Sequence, residues 1–296
     1  MNPQTAFEDL WLMNAAGMVK TVEDMRPLLR TPITHVVIGC STVEVRLGNP
    51  EPTFWVSPDG KYALNSRGLP NRGITYYDEN LERMFALAQM SGKRLVLNFS
   101  SSLGFDDWVA IARVASPYPL VILEVNVSCP NKWHDGVNEA VVAENPAAVA
   151  AILDAVHEAA PDNEIWIKLP PYRAPRKSPV LRQMCAVIGA RPFVNAVVSC
   201  NTLGGQKPPV IDGKPVISMP TAGMSGPSLM PWSLLQNRVI SELIPDVARI
   251  GVGGICSGAD VEEYRRTGVR GVAIGTAFFQ FMDPHIFSRV LEETVA

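Results

Sequence analysis

Histidine is scarce in this chain. There are four in 296 residues, His35, His134, His157 and His285, and their spacing builds no metal site. The five cysteines, Cys40, Cys129, Cys185, Cys200 and Cys256, include no CxxC pair. Their odd number argues against a closed disulfide framework, and four of them are expected to pack as small apolar groups. Long apolar runs are missing as well: none reaches the ~18 residues of a membrane span, and MNPQTAFEDLW lacks the basic and apolar blocks of a signal peptide. A soluble, cytoplasmic protein is the expectation. Positive charge is not in excess either, with a formal net charge of -3 and no basic cluster longer than that between Arg173 and Lys177. This composition excludes a nucleic-acid footprint and a membrane surface, and points to a small-molecule partner. No repeat, low-complexity segment or glycosidase-type carboxylate pair stands out.

What is present is a regular alternation. Apolar, β-rich runs ending in Gly, Asn, Ser or Pro occur eight times: Leu10 to Gly17, His35 to Ser41, Arg94 to Ser100, Leu120 to Ser128, Glu164 to Leu169, Ala196 to Asn201, Arg249 to Ile255 and Gly271 to Thr276. Helix-period segments such as Thr21 to Leu29, Asn80 to Met90, Asp106 to Val114, Pro146 to Ala159, Val180 to Ile188, Trp232 to Leu243 and Ala259 to Thr267 fill most of the gaps. Strand then helix, eight times, predicts an α/β fold: a single (β/α)8 TIM barrel over residues 1–296. An open doubly wound sheet is the alternative, since periodicity does not see closure. Against it, the first strand-to-helix turn, Asn14 to Met18, carries no GxGxxG. Two insertions rich in Gly and Pro, residues 42–77 and 204–230, leave from strand C-terminal ends and are expected to cover the catalytic mouth.

The fourth run ends in Asn126-Val127-Ser128-Cys129-Pro130-Asn131, which delivers two carboxamides, a hydroxyl and a thiol where parallel α/β folds bind ligands. An Asn/Ser/Pro turn with a buried structural cysteine is the plainer reading. After the last two strands, Gly251-Val252-Gly253-Gly254 and Ile274-Gly275-Thr276 offer unhindered backbone N–H groups that suit a phosphate, or simply make tight turns. Lys168 ends a hydrophobic strand, where a lone ammonium is costly to bury. It should face a ligand anion or a carboxylate, unless it snorkels to solvent. Asn201-Thr202, Asn65, Asn71, Asn126 and Asn131 stand at other loop ends. Together they suggest a ligand rich in N–H and C=O groups, although a turn-forming role explains any one of them.

These motifs in order, Met13-Asn-Ala-Ala-Gly17, Gly48-Asn-Pro-Glu-Pro52, Asn65-Ser-Arg-Gly-Leu-Pro-Asn-Arg-Gly73, Asn126-Val-Ser-Cys-Pro-Asn131, Ile167-Lys-Leu-Pro-Pro-Tyr172, Asn201-Thr202 and the two glycine turns, resemble the dihydroorotate dehydrogenases from about residue 8 to 293. The resemblance implies a barrel holding FMN at its mouth and oxidising dihydroorotate to orotate in pyrimidine synthesis. A homodimer is also implied. By the same resemblance Cys129 matches the base that takes the C5 proton, while hydride passes from C6 to flavin N5. Asn65, Asn126, Asn131 and Asn201 match the substrate amides, helped by Gly68, Leu69 and Thr202. Lys168 matches the lysine beside flavin N1, with Ala16, Gly17, Gly226, Gly253, Gly254, Gly275 and Thr276 on the cofactor, where Asn65 and Asn126 also reach. A bare ammonium ~4 Å from N1 contributes at most ~4 kcal/mol at an effective dielectric of ~20, or roughly 80 to 90 mV.

The sequence also departs from the family. Cytosolic members carry a lysine on strand two where this chain has Gly39, while Lys20 falls where the membrane-associated class places its equivalent. Cys129 is nevertheless the cytosolic-class base, since the membrane class uses serine. Arg67 replaces a methionine of the substrate loop and either binds a carboxylate or points to solvent. The loop Lys132 to Gly136 lacks the Pro-Gly-Lys-Pro of the fumarate-using branch, and the final helical stretch usual in the family is not expected. These departures keep two other readings open: a flavin enzyme for another cyclic amide or unsaturated acid, and a phosphate-binding barrel without redox chemistry.

Overall fold

The structure, a computed structural model, describes residues 10–101, 104–134 and 137–295. Eight parallel strands, β1 (Trp11–Asn14), β2 (His35–Ser41), β3 (Arg94–Phe99), β4 (Ile122–Asn126), β5 (Ile165–Lys168), β6 (Val194–Val198), β7 (Ala248–Val252) and β8 (Gly271–Ile274), form a closed barrel. Each strand pairs with its neighbour in sequence, and β8 returns to β1 with Trp11 opposite Gly271. The eight apolar runs are therefore these eight strands, and the open sheet is ruled out by the β1–β8 ladder. Outward side chains such as Leu95, Leu97, Leu123, Val125, Ile165 and Ile167 pack against the surrounding helices. Alternation by two turns Val96, Ile122 and Trp166 into the barrel, where they pack with Met13, Val37, Ala196 and Ile250.

The helices are α1 (Val22–Leu28), α2 (Gly73–Met90), α3 (Asp106–Ala115), α4 (Pro146–Ala159), α5 (Pro179–Gly189), α6 (Met230–Leu243), α7 (Gly258–Arg265), α8 (Thr276–Phe279) and α9 (His285–Val295). Local chemistry sets most starts. Thr21 and Ser257 close capping boxes with Asp24 and Asp260, while Asn145 and Ser178 cap helices that begin with proline. Helix α2 begins seven residues before the expected Asn80, because the Asn71 carboxamide accepts the Gly73 N–H at 2.8 Å and turns the chain into the helix. The expectation of no final helical stretch is also corrected. Residues 285–295 form α9, which buries Ile286, Phe287 and Val290.

The two insertions meet. Phe54–Val56 and Ala63–Asn65, which follow β2, pair antiparallel with each other, and Ala63–Asn65 pairs again with Ala222–Ser225 from the insertion after β6. Leu203–Gln206 completes one four-stranded sheet. In this register Asn65 stands opposite Gly223 and Phe54. Both insertions are thus halves of a single cover lying over the C-terminal ends of the barrel strands.

Beneath the cover, β2 bends at Gly39. Its φ is +102°, its N–H donates to Val19 O at 2.8 Å, and its carbonyl accepts the Gly17 N–H at 2.9 Å, which ties β2 to the loop after β1. A Cβ at this position would overlap the carbonyl oxygen of Asn98 and lie 2.9 Å from Ser41 N. No side chain fits there, so the missing strand-two lysine has a steric cause in this backbone. Gly39→Ala should lower unfolding stability by about 3 kcal/mol or more, combining left-handed strain with backbone overlap. Urea denaturation checks this, and a midpoint equal to that of the parent contradicts it.

Candidate active site

The cover and the strand ends border one open cleft, lined from the ends of, or the loops after, β1, β2, β4, β5, β6, β7 and β8. Its chemistry is divided among carboxamides at one end, glycines at the other, and cations.

At the amide end, Cys129 follows β4 and is 8% exposed. Burial raises the thiol pKa, while the backbone N–H of Asn131 and the charges of Lys132, Arg46 and Lys168 act to lower it. Asn65, Asn126, Asn131 and Asn201 all line the cleft with Thr202. They hold one another. Asn131 Nδ2 donates to the Asn65 carbonyl at 3.0 Å and to its Oδ1 at 3.1 Å, and Asn65 Nδ2 donates to Gly223 O at 3.2 Å. Asn201 Nδ2 donates to Ser128 Oγ at 2.9 Å, and that hydroxyl donates to Asn126 Oδ1 at 2.9 Å. A Cβ on Gly223 would overlap Thr202 Oγ1, so glycine there permits the sheet to approach the amides. Asn71 is not part of this set, since it is occupied with Thr42 and Gly73.

The glycine end gathers Gly253, Gly254, Gly275 and Thr276. Among the described residues no backbone hydrogen bond uses the N–H of Gly253, Gly254 or Gly275, so these cleft-lining glycines carry donors without a backbone partner. Ser225 joins them, its hydroxyl accepting from Thr276 Oγ1 at 2.8 Å. Gly226 does not line the cleft. With φ +87° it makes the turn against Tyr62 and Ala63, and its carbonyl lies close under Gly254.

The cations differ in their partners. Lys168, at the end of β5 and 5% exposed, faces a carboxylate as expected: Glu124 Oε1 lies 3.5 Å from its Nζ. Snorkelling is excluded. Lys20 and Arg67 lie near each other in the cleft lining, and among the described residues neither forms an ion pair. Lys20 donates to Pro70 O, and Arg67 donates to Gly17 O at 3.1 Å with its guanidinium 4.8 Å from the Phe279 ring centre. Arg67 therefore points inward, not to solvent. Burial and the nearby guanidinium lower Lys20 to about 7, and burial lowers Arg67 as well. Two unpaired cations near each other suit an anionic ligand.

Of the residues singled out from sequence, Ala16, Gly17, Lys20, Asn65, Arg67, Gly68, Leu69, Asn126, Cys129, Asn131, Lys168, Asn201, Thr202, Gly253, Gly254, Gly275 and Thr276 line this one cleft. Others were missed. Cys40 and Cys200 are buried as expected, Cys200 within the apolar barrel interior, yet both also line the cleft, with Cys40 Sγ 3.7 Å from Asn126 Nδ2. Asn98 and Glu124 sit in the barrel two residues beyond Val96 and Ile122, positions that strand alternation marks as inward. Of the loop beyond Asn131, Asp135 and Gly136 lie outside the described residues. No His, Cys, Asp or Glu cluster able to hold a metal occurs among the described residues, and no described helix is long and apolar enough to cross a membrane.

Known proteins share this architecture. The sequence matches the family described as dihydroorotate dehydrogenase over residues 4–296. It is 32% identical over 262 residues to the dihydroorotate dehydrogenase B (NAD(+)) catalytic subunit of Anoxybacillus flavithermus, covering 88% of this chain and 78% of that one. The protein of the same description from Geobacillus sp. is 31% identical over 259 residues, 87% and 77% of the two chains. In fold, it resembles the DHODH of Eimeria tenella in complex with ferulenol, with a TM-score of 0.79 at 19% identity, covering 95% of this chain and 79% of that one. The chain belongs to the dihydroorotate dehydrogenase family, oxidoreductases acting on CH–CH groups.

Proposed function

We propose that the protein oxidises dihydroorotate to orotate with FMN as its flavin and Cys129 as general base. The observation that carries the reading is the convergence, in one cleft, of a thiol, four carboxamides and a rim of unpartnered backbone N–H groups. The donor set fits both ligands. Gly253, Gly254, Gly275 and Thr276, with Ser225, suit a phosphate dianion. Ala16, Gly17, Lys20, Asn65, Asn126 and Lys168 are left for the ring system. When bound, FMN supplies the two-electron acceptor for the C6 hydride.

This chain's own residues supply the rest. The amides of Asn65, Asn126, Asn131 and Asn201, which pair with each other here, exchange those bonds for the alternating N–H and C=O groups of a cyclic amide. Thr202 and the Gly68-Leu69 turn bound the same pocket. Arg67 takes the carboxylate, and Cys129 removes the C5 proton. Because the thiolate is the working form and burial raises its pKa, deprotonation limits the step at neutral pH.

A second reading keeps the flavin and changes the substrate to another anionic cyclic amide or unsaturated acid. Arg67, turned into the cleft and outside any ion pair among the described residues, favours it, because it adds positive charge where the family's loop carries a methionine. A substrate panel followed by flavin absorbance separates the two: reduction by another acid but not by dihydroorotate selects the second.

Stopped-flow reduction by dihydroorotate should slow about 10²-fold or more in Cys129→Ala, as for loss of a general base. An unchanged rate removes the thiol from the mechanism. In the parent enzyme, the reduction rate should climb with pH, about tenfold per unit below the thiol pKa. FMN retention should weaken above pH 7 as Lys20 loses its proton. A rate that is flat from about pH 6 upward contradicts the role of a thiol whose folded pKa is raised. Arg67→Gln should weaken orotate binding about tenfold, near 1.4 kcal/mol, while leaving neutral uracil unaffected. Equal loss for both ligands in a binding titration rules out recognition of the carboxylate by Arg67.

A further inference from the structure

Glu124, two residues before Asn126 on β4, does not itself line the cleft and has no role in the account above beyond facing Lys168. It is 2% exposed and points into the barrel from the centre of β4. Parallel pairing sets Asn98 of β3 beside it and sets Asn126, two residues on, beside Lys168 of β5. The contacts follow from that register. Lys168 Nζ stands 3.5 Å from Glu124 Oε1, the same oxygen accepts from Asn98 Nδ2 at 2.7 Å, and Asn98 Oδ1 accepts from Asn126 Nδ2 at 3.4 Å. Lys168, Asn98 and Asn126 all line the cleft, and Glu124 connects them from below.

A buried carboxylate is costly unless compensated, and here the compensation is the lysine that forms part of the cleft floor. The relation works in both directions. The carboxylate fixes where the ammonium sits, and its negative charge offsets most of the field that the ammonium projects into a cavity of low dielectric. From the cleft, Lys168 therefore acts as the positive end of a dipole rather than as a bare charge.

We propose that Glu124 is a positioning residue that holds Lys168 at the cleft floor and limits the positive field the lysine exerts on the redox group above it. The proposal rests on the reading that the cleft holds FMN. It makes the flavin harder to reduce than a lone lysine would, through a charge that never touches the cofactor.

Three variants of the FMN-loaded full chain test it: Glu124→Gln, Lys168→Met and the double variant. Two quantities are read, the midpoint potential of the bound flavin and its affinity for sulfite, which adds to oxidised flavin more tightly where positive charge lies near the pyrimidine ring. Glu124→Gln keeps an oxygen for Asn98 and loses the charge. It should tighten sulfite binding at least tenfold and raise the potential by about 30 mV for each tenfold gain in the reduction constant. Lys168→Met should weaken both FMN retention and sulfite binding, because it strands the carboxylate under the ring. The double variant should recover FMN retention.

A flavin reduction constant and a sulfite affinity both within twofold of the parent in Glu124→Gln overturn the proposal. Where that variant does not fold, a double variant no better than Lys168→Met overturns it. Protein that retains no flavin and takes up no added FMN overturns the functional reading and this inference together. A flavoprotein insensitive to the charge at 124 overturns the inference alone.

Discussion

Residues 63–65 and 222–225 leave the barrel from different strands and reach each other as antiparallel partners across its mouth, and the cleft exists because they pair. The register is decisive. Asn65 opposite Gly223 turns its carboxamide toward Asn131, and a slip of one residue would direct the same side chain to the other face of the sheet. One side-chain bond reaches that strand from the barrel side, Asn131 Nδ2 donating to the Asn65 carbonyl, while within the first insertion Asn49 Nδ2 donates to Ser66 O at 2.9 Å. The loop between the cover and α2 then carries Arg67 inward and gives Gly68 and Leu69 their positive φ angles, +75° and +57°.

Below the cover, the barrel interior changes character along the strand direction. Trp11, His35 and Trp166 cluster at the entry end, with the two indoles stacked 5.6 Å apart, and Val37, Val96 and Ile122 follow. Two residues further along the same strands come Asn98, Glu124 and Lys168. The apolar levels close the barrel, and the polar level above them forms the floor of a site. A buried pair such as Lys168 with Glu124 adds little net stability. Removing one partner, however, leaves an uncompensated charge worth about 3–5 kcal/mol, so the pair constrains both groups to remain. The other two cations of the cleft are held differently. Lys20 and Arg67 have backbone carbonyls and an aromatic face as partners, an arrangement that leaves their charge available to a ligand.

Much of this was legible in the sequence, because period-2 and period-3.6 patterns report burial directly. The eight strands and seven helices expected from those patterns are present, and the loop-end residues singled out after strands one, four, five, six, seven and eight meet in one cleft, apart from Gly226. Other features depend on partners distant in sequence and had no local signature. The start of α2 is set by Asn71 and not by an apolar repeat. The union of the two insertions needs ladder bonds between residues about 160 positions apart. Glu124 has no local signature within its apolar run; its role depends on Asn98 and Lys168 from the strands on either side. Arg67 carried a legible charge, but its direction was decided by Gly17 and Phe279.

The visible spectrum of the purified protein, recorded under argon before and after one equivalent of dihydroorotate, tests the central claim most directly. The account predicts a yellow protein carrying one FMN per chain whose absorbance near 450 nm is lost on addition, roughly as fast as catalysis requires, with k about 1 s⁻¹ or above. A colourless protein that takes up no FMN, or a flavin that stays oxidised with dihydroorotate, would contradict it.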